Sequence, residues 1–210
     1  MAFDREKYYD ILSKFVPKQA LDYIILLLQQ EPVYLKITRQ RKTKHGDFKA
    51  GIGRQNTITV NHNLNKYAFL ITFLHEMAHL KVYKKYIRKR KPHGKEWKEE
   101  FKELMKPMLE THVFPEEIHD LFVAHMKNPK ASTSSDIALV KALRIYDFPT
   151  NTLTLDDLEI GDLFTIHGKK FKLGEKRRTR FMCKELNTNK LYTINQLAEV
   201  TKIDKNTKYE

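Results

Sequence analysis

The chain is predicted to be α+β, an α-rich module built with a small antiparallel sheet and followed by a small β-rich C-terminal module. Three observations lead there. Apolar residues recur at helical spacing through most of the first 146 residues, and short alternating segments at 33–38 and 57–60 break that pattern. From about Leu153 the pattern changes to strand-length pieces between turn residues. The corresponding boundaries are 1–130 for the first module, 131–152 for a linker and helix, and 153–210 for the C-terminal module.

At 4–15 and 17–30 the apolar positions follow the helical period, and Pro17 suits a first helical turn, where its missing N–H has no intrahelical partner to lose. Segment 33–38 alternates as a strand does, the basic stretch 39–44 follows, and Gly46, Gly51 and Gly53 mark a turn before the strand at 57–60. Asn63 or Asn65 caps the next helix, whose first half is apolar nearly all round, the pattern of a buried central helix. Residues 94–110 form an amphipathic helix with Trp97, Phe101 and Leu104 on one side and Pro107 kinking or ending it. Helices at 116–127 and 136–146 follow, separated by the linker-like Pro/Ser/Thr segment 128–135. In the C-terminal module strands fall at 163–166, 170–173, 179–183 and 191–194, with His167-Gly168 and 187–189 as turns.

Composition narrows the function classes. The start has no apolar signal core and the run at 23–28 is too short for a bilayer, so a cytoplasmic protein without a membrane partner is expected, with nucleoid association compatible. A single cysteine, Cys183, excludes an intrachain disulfide and a cysteine metal cluster, leaving histidines and carboxylates to hold any metal. Thirty-nine Lys and Arg against 26 Asp and Glu give a formal charge of +13, which favours polyanionic partners.

The chemistry centres on His75-Glu76-Met77-Ala78-His79. Two histidines four apart on a helix present ring nitrogens to one ion from the same face, and the glutamate beside the first lies over the open side of that ion. Hydrolytic zinc takes three protein ligands and keeps one position for water. His93, before a new helix and next to Gly94, is the third candidate; Glu96, Glu99 and Glu100 are its rivals. One zinc per chain and a protein substrate follow, with Glu76 as the catalytic base. Tyr83 and His112 are candidates for a second oxyanion donor, with packing or surface roles weighed against that. The remaining histidines, His119 and His125 among them, have no partner at ligand spacing and suit surface or capping positions.

These residues bring a family into view. The turn from Lys42 to Gly46, the strand ending Ile58-Thr59-Val60-Asn61 with Leu64 after it, Phe73-Leu74-His75-Glu76-Met77-Ala78-His79, and His93-Gly94 with Trp97 together resemble the SprT-like zinc metalloproteases, relatives of the Spartan DNA-dependent protease, over most of residues 35–105. The resemblance implies a zincin-like fold, zinc on His75, His79 and His93, Glu76 as general base, and action on DNA-associated or DNA-crosslinked proteins. Many members end in a four-cysteine zinc ribbon; here only Cys183 remains, so the C-terminal module resembles a ribbon that has lost its metal.

The basic runs supply candidate contacts to DNA, single-stranded or mixed: Arg41, Lys42, Lys44, Lys84, Lys85, Arg88, Arg90, Arg177 and Arg178, with Tyr83 and Tyr86 interleaved for stacking. The alternative from another class is a non-proteolytic DNA-associated binding or regulatory protein with a structural zinc site. An intact Glu76 argues against it, because a structural site has no use for a base beside its ligand.

Overall fold

The computed structural model describes residues 3–41, 43–51, 55–86, 90–130, 136–147 and 153–203. The chain is α+β and divides into two compact units, Met1–Phe148 and Pro149–Glu210.

In the first unit α1 (Arg5–Leu12) and α2 (Leu21–Gln30) are joined through one 3-10 turn, so the helix expected from residue 17 begins three residues beyond Lys18. The strands β1 (Val33–Thr38), β2 (Gly46–Lys49) and β3 (Asn56–Asn61) form a sheet in the order β1-β3-β2. β2 runs antiparallel to β3, but β1 runs parallel to it, so the sheet is mixed where a purely antiparallel one was expected. The reason lies in burial. β3 carries the most buried strand side chains, Ile58, Val60 and Asn61, and takes the centre; β1, with Val33 and Leu35 buried, then has only the far side of β3 to pair with.

Helix α3 (Lys66–Lys85) is the axis of this unit. Its N-terminus is capped by Asn65, whose side chain accepts from the Tyr67 and Ala68 N–H groups, while Phe69, Phe73, Leu74 and Met77 are fully buried. Helix α4 (Lys95–Glu110) packs on it through Trp97, Phe101, Leu104, Met105 and Met108. Pro107 sits inside α4 and neither ends it nor stops it reaching Glu110. Helices α5 (Glu116–Met126) and α6 (Ile137–Arg144) complete the unit. Leu139, Ala142 and Leu143 of α6 lie in the same core as α3, so the module boundary expected at 130 falls instead after α6.

His125, assigned from sequence to a surface or capping position, is buried between Phe122 and the α6 cap. Its Nδ1 stands 3.2 Å from Asp136 Oδ2, and the other Asp136 oxygen accepts from the Leu139 N–H. The signal missed was α5's own period, which puts His125 three residues after Phe122 on the buried side.

The second unit is a six-stranded antiparallel sheet in the order β4-β9-β5-β6-β7-β8. Its strands are β4 (Leu153–Thr154), β5 (Leu163–Ile166), β6 (Lys169–Arg177), β7 (Arg180–Glu185), β8 (Leu191–Asn195) and β9 (Glu199–Ile203). One face buries Leu155, Phe164, Phe171, Leu173, Phe181, Cys183 and Val200 as a separate core. His167 and Gly168 both take positive φ in the β5–β6 turn, as a tight hairpin requires. No described helix is long and apolar enough to cross a membrane.

Candidate metal centre

His75 and His79 project from one face of α3, and the loop before α4 carries His93 to them. The three donor nitrogens lie within 4.8 Å of one another, and His93 Nε2 is 3.0 Å from Nε2 of both helix histidines. Among the described residues this is the one cluster of three such side chains. His93 has φ +56°, a left-handed conformation that costs a non-glycine residue about 1 kcal/mol and persists here where the ring is held against its partners.

No tautomer satisfies this arrangement by hydrogen bonds alone. A neutral ring nitrogen offers either one proton or one lone pair, and His93 Nε2 faces two nitrogens at once. A shared cation accepts a lone pair from each ring, and tetrahedral zinc at about 2.0–2.1 Å would hold its nitrogens about 3.3 Å apart. The rings are also kept neutral. Burial, reinforced by the neighbouring imidazoles, pushes His75 down to about 3; burial, with His93 beside it, pushes His79 down to about 4; burial lowers His93 as well. The donor set therefore fits a divalent metal.

Trp97 forms the floor. Its indole lies 4.6, 5.5 and 4.7 Å from the rings of His75, His79 and His93, centroid to centroid, and its Nε1–H donates to the His75 carbonyl at 3.3 Å. Phe101 stacks behind it at 4.9 Å, so α4 supports the ligands from below.

Glu76 points from α3 toward the sheet. It is buried, and desolvation together with Asp47 raises its carboxyl to about 7, against the lowering effect of a hydrogen bond from the Phe48 N–H and of Arg41 and Lys44. β2 reaches it only because residue 46 is glycine: a Cβ there would stand 2.6 Å from Thr72 Cγ2 and 2.9 Å from Glu76 Cγ and Oε1. The loop that delivers β2 is fastened by Arg41, whose guanidinium donates to Asn61 Oδ1 at 2.8 Å and Thr59 Oγ1 at 3.0 Å, while the Asn61 amide donates to the Lys44 carbonyl at 2.9 Å.

The rival ligands lie elsewhere: Glu96 pairs with Arg90, Glu99 with Lys95 and Glu100 with Lys85. Tyr83 stands four residues after His79 with its ring 5.8 Å from Phe48, and His112 stacks on His119 at 4.9 Å. Of the basic residues singled out for DNA, Arg41 is engaged as described, Lys44 pairs with Asp47, Lys84 with Glu31 and Lys85 with Glu100, and Arg90 also lies over the Tyr86 ring. Arg177 and Arg178 are exposed at the β6–β7 turn, and Lys42 and Arg88 lie outside the described residues.

Two helix histidines, a loop histidine and a buried carboxylate beside the first, within an α+β frame, define a metallopeptidase-like domain. Residues 22–119 match the model of the SprT-like family. No curated protein and no solved structure matches the chain.

Proposed function

We propose that the protein is a zinc-dependent endopeptidase, with His75, His79 and His93 as the metal ligands and Glu76 as the general base. The observation that carries this reading is the convergence of three neutral imidazole nitrogens beside a buried carboxylate. Zinc, when bound there, supplies a Lewis acid that polarises a carbonyl and acidifies a water. Glu76 accepts the proton of the attacking water at its carboxylate and returns it to the leaving amine. The Phe48 N–H fixes the direction of that carboxylate, and Arg41 and Lys44 counter the rise in its proton affinity. Trp97 keeps the ligand rings in place from the opposite side.

The test separates binding from chemistry. Glu76→Gln should keep one zinc per chain and lose peptide cleavage by a factor of at least about 100. His93→Ala should lower zinc affinity and cleavage together. Full cleavage by the Glu76→Gln protein would remove the assigned base, and cleavage absent from the zinc-loaded wild type under all conditions would favour a binding protein with a structural metal.

A DNA partner is the second part of the proposal, and one observation in the second unit favours it. Lys172 stands directly opposite Lys184, and Arg177 opposite Arg180, on neighbouring strands. Among the described residues none of the four has an ion pair. Like charges in register repel, and a phosphate backbone laid across β6 and β7 relieves that repulsion.

A further inference from the structure

We propose that the groove opening beside His93 is a subsite for an acidic stretch of the polypeptide being cleaved, read by a row of lysines on α4. This rests on the endopeptidase reading and names the substrate class it would select. The groove has a volume of about 580 Å³, and its lining joins His93 to Lys91, Lys95, Lys98, Lys102 and Glu99. His93 belongs both to the metal cluster and to the groove lining, so a chain held at the metal would bring the flank of its scissile bond toward the lysines.

The charge of the groove follows from how α4 divides its surface. Lys95, Lys98 and Lys102 recur at spacings of three and four and so share one stripe. Glu96 and Glu100 fall on the other flank, where they answer the basic end of α3 and the segment after it through Arg90 and Lys85. These two acids are thus engaged away from the groove. Within it, Lys98 donates to Asn128 Oδ1 and Lys102 to the Lys127 carbonyl, both uncharged acceptors that leave each ammonium's charge in place. The one carboxylate lining the groove, Glu99, meets Lys95 at 3.9 Å in an exposed pair that neutralises little.

Spacing suits an extended peptide. Seven helical residues from Lys95 to Lys102 rise about 10 Å. Side chains on one face of an extended chain repeat at about 6.6–6.8 Å. Acidic residues two apart can each meet a different lysine, and flexible lysine stems absorb the remaining mismatch.

The test uses zinc-loaded Glu76→Gln protein, which binds without cutting, and a labelled peptide carrying Glu and Asp beside an otherwise identical peptide carrying Gln and Asn, read by fluorescence anisotropy. The acidic peptide should bind roughly tenfold tighter at low salt. Lys98→Gln with Lys102→Gln should bring that advantage below about threefold, and so should Lys91→Glu with Lys95→Glu at the exposed rim; Lys18→Gln should not change it. Equal affinity for the two peptides, an advantage indifferent to both pairs of substitutions, or single-stranded DNA binding that those substitutions abolish while peptide binding persists would each overturn the proposal. Cleavage of the uncharged peptide by the wild-type protein is scored separately, so loss of the subsite and loss of the endopeptidase reading give different results.

Discussion

The direction of the Glu76 carboxylate depends on a residue with no side chain. Gly46 lets β2 lie against α3, and alanine there would drive its Cβ into Thr72 Cγ2 and Glu76 at once. The two collisions have different consequences. Thr72 is a packing neighbour, so its clash costs stability, about 1–3 kcal/mol as overpacking commonly does. Glu76 is the assigned base, so its displacement costs turnover, at least about tenfold for a misplaced catalytic group. Gly46→Ala should therefore lower both the urea midpoint and kcat. Adding Thr72→Ser removes the nearer atom and should restore most of the midpoint while kcat stays low. Recovery of kcat along with the midpoint would mean that Glu76 never moved. From sequence Gly46 was visible only as a turn glycine, because what demands it is a helix that arrives twenty-six residues later at Thr72. His75, Glu76 and His79 were legible because helix period alone sets their relation, whereas Trp97's place under all three rings needs the crossing of α3 and α4.

Among secondary elements, those whose burial alternates or repeats strongly were readable and the others were not. α4 shows its period plainly, α3 stands out as a long apolar helical run, and β1 alternates buried and exposed at its start. β2, made of Gly46-Asp47-Phe48-Lys49, contains two poor strand formers and looks like a turn until it pairs with β3. β9 buries only Val200 and is held by β5 and β4, contacts that no local pattern announces. The parallel pairing of β1 with β3 is likewise set by which strand is most buried and not by adjacency in sequence. Strand pairing also makes the nucleic-acid proposal testable with two readouts of opposite sign. Lys172→Glu turns a repulsive cross-strand pair with Lys184 into an attractive one, which should raise the thermal midpoint of the second unit by the equivalent of about 0.5–1 kcal/mol. The same change should weaken single-stranded DNA binding and lower the slope of log K against log salt by about 1. A gain in stability without a loss of DNA affinity would show that phosphates do not lie on β6 and β7.

The whole chain carries one tryptophan and one cysteine, and the fold places them in different cores: Trp97 in the first unit, Cys183 in the second. Each is buried to about 1% exposure, so each reports the opening of its own unit, Trp97 by fluorescence and Cys183 by thiol labelling. Burial holds the Cys183 thiol up at about 11, so native protein at pH 8 should resist labelling until urea exposes it. The sign of the pH effect follows. An unfolded thiol ionises first, near its ordinary value, so this contribution is present below about pH 8.5 and is lost as pH climbs toward 11. Between pH 8 and 10.5 the labelling transition should weaken by about 1–2 kcal/mol more in the parent than in a Cys183→Ala chain followed by circular dichroism. Zinc acts on the other core. At 100 times its dissociation constant it should stabilise the Trp97 transition by about 2.7 kcal/mol through preferential binding to the folded His75, His79 and His93 cluster. The Cys183 transition should not move. If zinc shifted both transitions equally, the two cores would open as one cooperative unit, and the metal would then set the stability of the β-rich unit as well as that of the α3–α4 frame.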